Sequence, residues 1–173
     1  MQAKARLFGH PIHQMLIVFP LGLLATSLFF DIARLSSGNP QWGVISYWLI
    51  VVGIVSGLVA AVFGLIDWLA IPPDTRARRI GRLHGIGNVV VVGLFAASWF
   101  LRRDDPGNPE GAAITLSVLA VLLALVTGWL GGELVDRLAI GVDEGANPNA
   151  PSSLTGKSAG DAVRAAPVPA GRR

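Results

Sequence analysis

Four apolar runs, each long enough to cross a lipid bilayer, constrain this chain more than any other feature. They cover roughly residues 11–33, 42–71, 83–101 and 112–132. A spanning helix needs about 20 mostly apolar residues, and in lipid a helix satisfies its own backbone hydrogen bonds. Only 14% of the residues are charged, against about 25% in an ordinary soluble domain. The sequence therefore predicts an all-α bundle of four transmembrane helices.

The breaks between the runs carry residues typical of helix starts. Asn39-Pro40 and Asn108-Pro109 each combine an N-cap with a proline at the first helical position. Asp74 is predicted to cap a third helix that begins outside the bilayer. We interpret the first run as a retained helix, because it is long for a signal peptide and no clear small-x-small cleavage site follows it.

The distribution of Lys and Arg predicts the orientation of the bundle. Residues 72–82 hold four arginines, and the segment before the first span holds Lys4 and Arg6. The 34–41 loop has only Arg34, and the 102–111 loop has two arginines offset by acidic residues. Short cytoplasmic loops are the basic ones. Both termini are thus expected in the cytoplasm, and nucleic acid is not expected as a partner.

The composition changes after residue 142. Residues 143–173 are rich in Ala, Gly, Pro and Ser and lack the apolar bulk to offset the entropy of ordering. The sequence predicts a transmembrane domain over 1–142 and a flexible, disordered cytoplasmic tail over 143–173.

Helical spacing predicts which faces of the spans meet. Small residues let helix backbones approach closely in lipid, and such residues form one stripe on the second span. The stripe comprises Gly53, Gly57, Ala60, Gly64 and Asp67. Asp67 is therefore expected to point into the bundle, with Arg76 or Arg82 as its ion-pair partner. Asp31 is interpreted as an ordinary partner of Arg34, three residues further on.

All three histidines fall at the predicted cytoplasmic rim. His10 and His13 open the first span, and His84 and Asn88 open the third. Neutral imidazole is the commonest metal ligand. One hypothesis is a metal site of His10, His13, Asp67 and His84; a second is a b-type haem held by His13 and His84, with Asn88 beside it. Quinone or proton handling through Asp67 and His84 is a third. The absence of cysteine excludes thiolate ligands.

The same residues also have a purely structural interpretation. In it, His10 caps the first helix, His13 reaches the lipid headgroups and His84 bonds a loop carbonyl. A short resemblance between residues 64–71 and 133–140 raises one more hypothesis. Two hairpins related by an axis along the membrane normal would explain it.

Several segments together resemble domain-of-unknown-function family 2231. The similar segments are Gly-His-Pro-Ile-His (9–13), Phe19-Pro20, Gly-Leu-Ile-Asp (64–67), Arg-Leu-His (82–84) with Asn88, and Gly-Trp-Leu-Gly-Gly-Glu-Leu-Val (128–135) with Gly141-Val142. The resemblance spans roughly residues 7–142, although Asp136 stands where the family pattern has Tyr. It implies a bacterial membrane protein without an assigned reaction. Similar domains are joined to Rieske or c-type cytochrome modules, and this favours electron transfer.

Three functions remain open at this stage. The leading hypothesis is an electron-transfer protein that binds a haem or a metal ion at the cytoplasmic rim and meets membrane redox proteins. The second is a non-catalytic scaffold or assembly partner, and the third a transporter of protons or small solutes, for which four spans imply a homo-oligomer. No residue is assigned a catalytic role.

Overall fold

The structure, a computed structural model, describes residues 1–161. Its elements are β1 (Arg6–Leu7), β2 (His10–Pro11), α1 (Ile12–Leu16), α2 (Val18–Ser37), α3 (Pro40–Leu69), α4 (Arg76–Leu101) and α5 (Gly111–Gly132), then a π-helical turn (Glu133–Arg137) and a 3-10 helix (Ser153–Thr155). Helices α1 and α2 together form the first span, and α3, α4 and α5 form the other three. The predicted all-α four-helix bundle is confirmed.

Pro20 explains why the first span is divided into α1 and α2. A proline has no N–H to donate to the carbonyl four residues earlier, and its ring crowds that carbonyl; here the carbonyl belongs to Leu16, the last residue of α1. The amide of Ile17 still donates to His13, and Leu21 donates to Ile17. The two segments therefore continue as one span.

The N-cap predicted from the sequence is confirmed for α3 and is wrong for α4 and α5. Asn39 caps α3, its side chain accepting from the Gln41 amide at 3.0 Å, as predicted. Thr75 rather than Asp74 caps α4, its hydroxyl accepting from the Arg78 amide at 3.1 Å. Both residue types are good caps, but Asp74 adopts a positive φ of 61° in the turn before the helix.

The predicted cap of the fourth span was also wrong. Glu110 precedes α5 and makes no side-chain cap bond. The side chain of Asn108 instead donates to the Asp105 carboxylate within the preceding loop. The side chain of Asn108, which was predicted to cap α5, is thus used within the preceding loop.

The spans form two antiparallel hairpins. We call α1–α3 hairpin A and α4–α5 hairpin B; the helices pack most closely within each hairpin. One core cluster joins them, formed by Leu24, Ile50, Val91, Phe95 and Ala120. The terminal end of the bundle is the end that holds residues 1–13 and 70–84, and the loop end holds residues 34–43 and 102–111.

The small-residue stripe of α3 faces a neighbouring helix, as predicted, and the neighbour is the first span. A Cβ on Gly53 would lie 2.6 Å from Leu24, and Gly57 lies against Pro20. The outward faces of the helices are apolar and exposed, as contact with lipid requires. Examples are Val18, Phe29, Leu35, Val89, Leu125 and Trp129.

The segments outside the spans lie against one another at the terminal end. Arg6 forms an ion pair with Asp143 at 2.7 Å, and the Ser153 hydroxyl donates to the Phe8 carbonyl at 3.0 Å. These contacts involve part of the segment predicted as a flexible tail, and residues 162–173 lie outside the described residues. The flexibility of the tail stays a prediction.

Candidate functional site

His13 connects the first span to α3. Its Nδ1 lies 2.8 Å from the carbonyl oxygen of Ala60. A carbonyl only accepts hydrogen bonds, so Nδ1 carries the proton and Nε2 keeps its lone pair. A Cβ on Gly64 would lie 2.8 Å from Cε1 of the ring. The ring thus occupies the space that a side chain at position 64 would fill.

His84 makes the same arrangement inside hairpin B. Its Nδ1 lies 2.8 Å from the carbonyl oxygen of Thr127, so its Nε2 also keeps a lone pair. A Cβ on Gly131 would lie 3.2 Å from Cε1. The side-chain amide of Asn88 lies 3.2 Å from Nε2, and its oxygen accepts from the Thr127 hydroxyl at 3.1 Å.

The two histidine rings meet between the hairpins. Their centroids are 6.4 Å apart and their planes are nearly perpendicular, at 89°. The two rings therefore adjoin each other where the hairpins meet. We call His13, His84 and Asn88 the histidine site.

Asp67 and His10 lie apart from this site. Asp67 accepts from the backbone amides of Lys4 and Ala5, at 2.7 and 3.0 Å, which ties the amino-terminal segment to α3. His10 is exposed, with Nε2 3.4 Å from the Ser153 hydroxyl. Within residues 1–161, no three His, Asp or Glu side chains come together closely enough to hold a metal ion. The structure thus brings together His13, His84 and Asn88 but not the four-residue metal set.

The ion pair predicted for Asp67 was wrong. Arg76 pairs with Glu133 at 2.6 Å, with half of the arginine side chain exposed. Arg76 thereby joins the start of α4 to the end of α5 within hairpin B.

Asp31 belongs to a buried ion pair that sequence reasoning missed. Arg34 was the predicted partner, but its guanidinium reaches the loop after α4, donating to the Gly107 carbonyl at 2.8 Å. The partner of Asp31 is Arg102, at 2.6 and 2.8 Å through both carboxylate oxygens. Both side chains are 0% exposed. This pair joins hairpin A to hairpin B at the loop end.

Three serines complete the environment of the arginine. Its remaining N–H groups donate to Ser98, Ser46 and Ser117, at 3.2, 3.1 and 3.2 Å. All five N–H groups of the guanidinium therefore have a partner. We call Asp31, Arg102, Ser46, Ser98 and Ser117 the ion-pair cluster. A saturated cluster has no free donor for a ligand, so we assign it to the architecture.

One sequence signal pointed to this cluster. Asp31 shares a helical stripe with His13 and Ser27 on the first span, and that stripe faces the bundle. A carboxylate on such a face needs a buried partner. The sequence did not indicate Arg102 as the partner of Asp31, because Arg102 stands directly after an apolar run and resembles a charged residue of a loop.

Four apolar spans with buried polar contacts between them define a multi-pass membrane protein. The chain belongs to the DUF2231 family, described as predicted membrane protein, whose model matches residues 9–144. No curated protein and no solved structure matches the chain significantly.

Proposed function

We propose that this membrane protein holds a redox-active metal centre between His13 and His84 and serves electron transfer. One observation carries the proposal. Each ring donates Nδ1–H to a backbone carbonyl of the neighbouring helix, at 2.8 Å in both cases. Metal-ligating histidines characteristically make this outer bond, which fixes the tautomer and raises the basicity of the other nitrogen.

The number of ligands favours haem over a bare ion. A bare transition-metal ion in a protein takes three or four side-chain ligands, whereas the histidine site offers two imidazoles. In haem the macrocycle supplies the other nitrogens, and axial histidines are common ligands of haem iron. Such a centre, when bound, supplies one-electron chemistry. The histidine site lies between the hairpins, which contact each other less extensively than the helices within each hairpin do.

Each residue of the site has a role in this proposal. His13 and His84 would hold the haem iron through Nε2, and the backbone carbonyls of Ala60 and Thr127 orient their rings. Asn88 occupies the Nε2 of His84 at 3.2 Å. Asn88 would have to release this nitrogen before His84 could hold the iron.

The test is a titration of the detergent-purified protein with hemin, followed by absorbance and iron analysis. We expect one iron per chain and a Soret band that is lost in His13→Ala and in His84→Ala. His10→Ala is the matched control, because His10 is exposed at the same end of the bundle, and it should bind as the parent does. A parent protein that gives no Soret band and takes up no iron would contradict the proposal.

A second candidate is a scaffold in which the histidines only fasten the helices. It is favoured by the hydrogen bonds that His84 makes to Thr127 and Asn88, which leave both ring nitrogens partnered. In that case the histidine variants lose thermal stability and the parent binds neither haem nor metal. The same titration therefore separates the two candidates.

We also propose that the terminal end faces the cytoplasm of a bacterial cell, in the cytoplasmic membrane. Arg102 is buried against Asp31 and so contributes no free positive charge to the loop end. The terminal end carries Lys4, Arg6 and the four arginines of residues 72–82, as the distribution of basic residues in cytoplasmic loops requires. A phosphatase fusion after Arg79 should be inactive and a fusion after Gly107 active; the reverse pattern would refute this orientation.

A further inference from the structure

The two hairpins place like residues at one constant separation. Asp31 and Arg102 are 71 residues apart, and the same separation divides His13 from His84. It also divides two of the fully buried serines, Ser27 and Ser98. Equivalent residues in the first helices of the two hairpins are thus separated by the same number of residues, from the terminal end to the loop end.

The second helices repeat the contacts of the histidines. Ala60 accepts from His13 as Thr127 accepts from His84, and Gly64 lies against one ring as Gly131 lies against the other. The sequence separation between Ala60 and Thr127 equals the sequence separation between Gly64 and Gly131. This register pairs Gly64 with Gly131. The resemblance of 64–71 to 133–140 would instead pair Gly64 with residue 133, two residues further along the chain.

A rotation axis explains which like residues touch. When a two-fold axis relates two hairpins, a residue contacts its own equivalent only near the axis. His13 contacts His84 at the terminal end, and Asp31 contacts Arg102 at the loop end. The line through these two pairs runs along the bundle, and hence along the membrane normal.

We propose that hairpins A and B are diverged copies of one hairpin, related by this axis, and that opposite charges at positions 31 and 102 make A pair with B. Two copies of A would oppose Asp31 to Asp31, and two copies of B would oppose Arg102 to Arg102. Unpaired like charges in a buried site strongly disfavour association. The ion pair therefore selects the partner hairpin.

Two of the serines that contact Arg102 occupy positions whose equivalents in the other hairpin are apolar. In the register of the second helices, Ser46 corresponds to Ala113 and Ser117 to Ile50. All four residues are 0% exposed. Ser46 and Ser117 are thus replaced by apolar residues at the equivalent positions, whereas Ser98 corresponds to Ser27. The equivalence predicts that an arginine at position 31 would need hydroxyls at positions 50 and 113.

The experiment exchanges the two sides of the cluster in the full-length chain. The charge-swapped chain carries Asp31→Arg and Arg102→Asp. The mirrored chain adds Ser46→Ala, Ala113→Ser, Ile50→Ser and Ser117→Ile. Two recovered buried hydrogen bonds should raise the Tm of the mirrored chain above that of the swapped chain by about 4–8 °C. A mirrored chain no more stable than the swapped one would overturn the equivalence of the hairpins.

A neutral chain tests the selection of partners. Asp31→Leu with Arg102→Leu removes both charges and keeps an apolar contact, so hairpins of different copies should then pair. We expect this chain to form larger oligomers in detergent than the parent, measured by light scattering, while the mirrored chain matches the parent. A neutral chain with the oligomeric state of the parent would overturn the selective role of the charges.

Discussion

The two polar sites of the bundle differ in how completely their atoms are used. At the loop end, every N–H of Arg102 has a partner and the pair with Asp31 is 0% exposed. At the terminal end, His13 and His84 are half-buried, and the Nε2 of each ring is an acceptor, which in His84 is already contacted by the Asn88 amide at 3.2 Å. The cluster of charges at the loop end stabilises the arrangement of the helices, and the acceptor nitrogens at the terminal end are the groups that could bind a ligand.

The largest expected effect comes from leaving one buried charge without its partner. Arg102→Met leaves Asp31 charged in a dry core and should lower the free energy of unfolding by about 3–5 kcal/mol. Chemical unfolding in detergent measures this loss. The control, Asp31→Leu with Arg102→Met, removes both charges and should lose much less. If the single variant were as stable as the double one, the loop end would not depend on charge pairing.

Crowding one histidine should have the next largest effect. Gly64→Val places a side chain against the His13 ring, since its Cβ would be 2.8 Å from Cε1. Such overpacking costs about 1–3 kcal/mol and should also abolish hemin binding. Gly22→Val is the matched control, because no atom of residues 1–161 outside the adjoining backbone lies within 4 Å of a Cβ there. Equal hemin binding by both variants would show that the ring position of His13 is unimportant.

Removal of an imidazole should affect binding more than stability. His84→Ala deletes the hydrogen bonds to Thr127 and Asn88 and should lower the free energy of unfolding by about 1 kcal/mol. Hemin binding should be lost completely. Thermal unfolding and a hemin titration of the same sample measure the two effects. A variant that still binds with the affinity of the parent would move the centre away from His84.

The smallest expected effect is at the exposed ion pair of the terminal end. Arg76→Ala removes the pair with Glu133, in which the arginine is 50% exposed. Pairs of this kind contribute about 0.2–1 kcal/mol, and salt screens them. Unfolding measured at low and high salt should show a small difference that disappears with salt. A loss as large as that of Arg102→Met would erase the contrast between buried and exposed pairs.

The spans and the meeting of the histidines followed from the sequence for a general reason. Hydropathy determines which segments lie in lipid, and alternating chain direction returns the starts of the first and third spans to one level. His13 and His84 meet there for this reason. His10 was wrongly grouped with them, because the residues before Ile12 form a β-pair rather than a further turn of helix.

The ion-pair cluster shows what local reasoning does not predict. Arg34 is the near neighbour of Asp31 in sequence, and spacing alone favours that pair. The actual partner lies 71 residues away and is determined by how two hairpins dock. Helical spacing within one span carries no information about a contact of this range, although the separation of His13 from His84 in the sequence equals that of Asp31 from Arg102.

The proposed haem centre of His13 and His84 is best tested by a reduced-minus-oxidised absorbance spectrum of the protein purified from a haem-replete host. We expect the bands of a low-spin haem with two histidine ligands, at one haem per chain. A featureless difference spectrum from folded, correctly inserted protein that also fails to bind added hemin would refute the proposal.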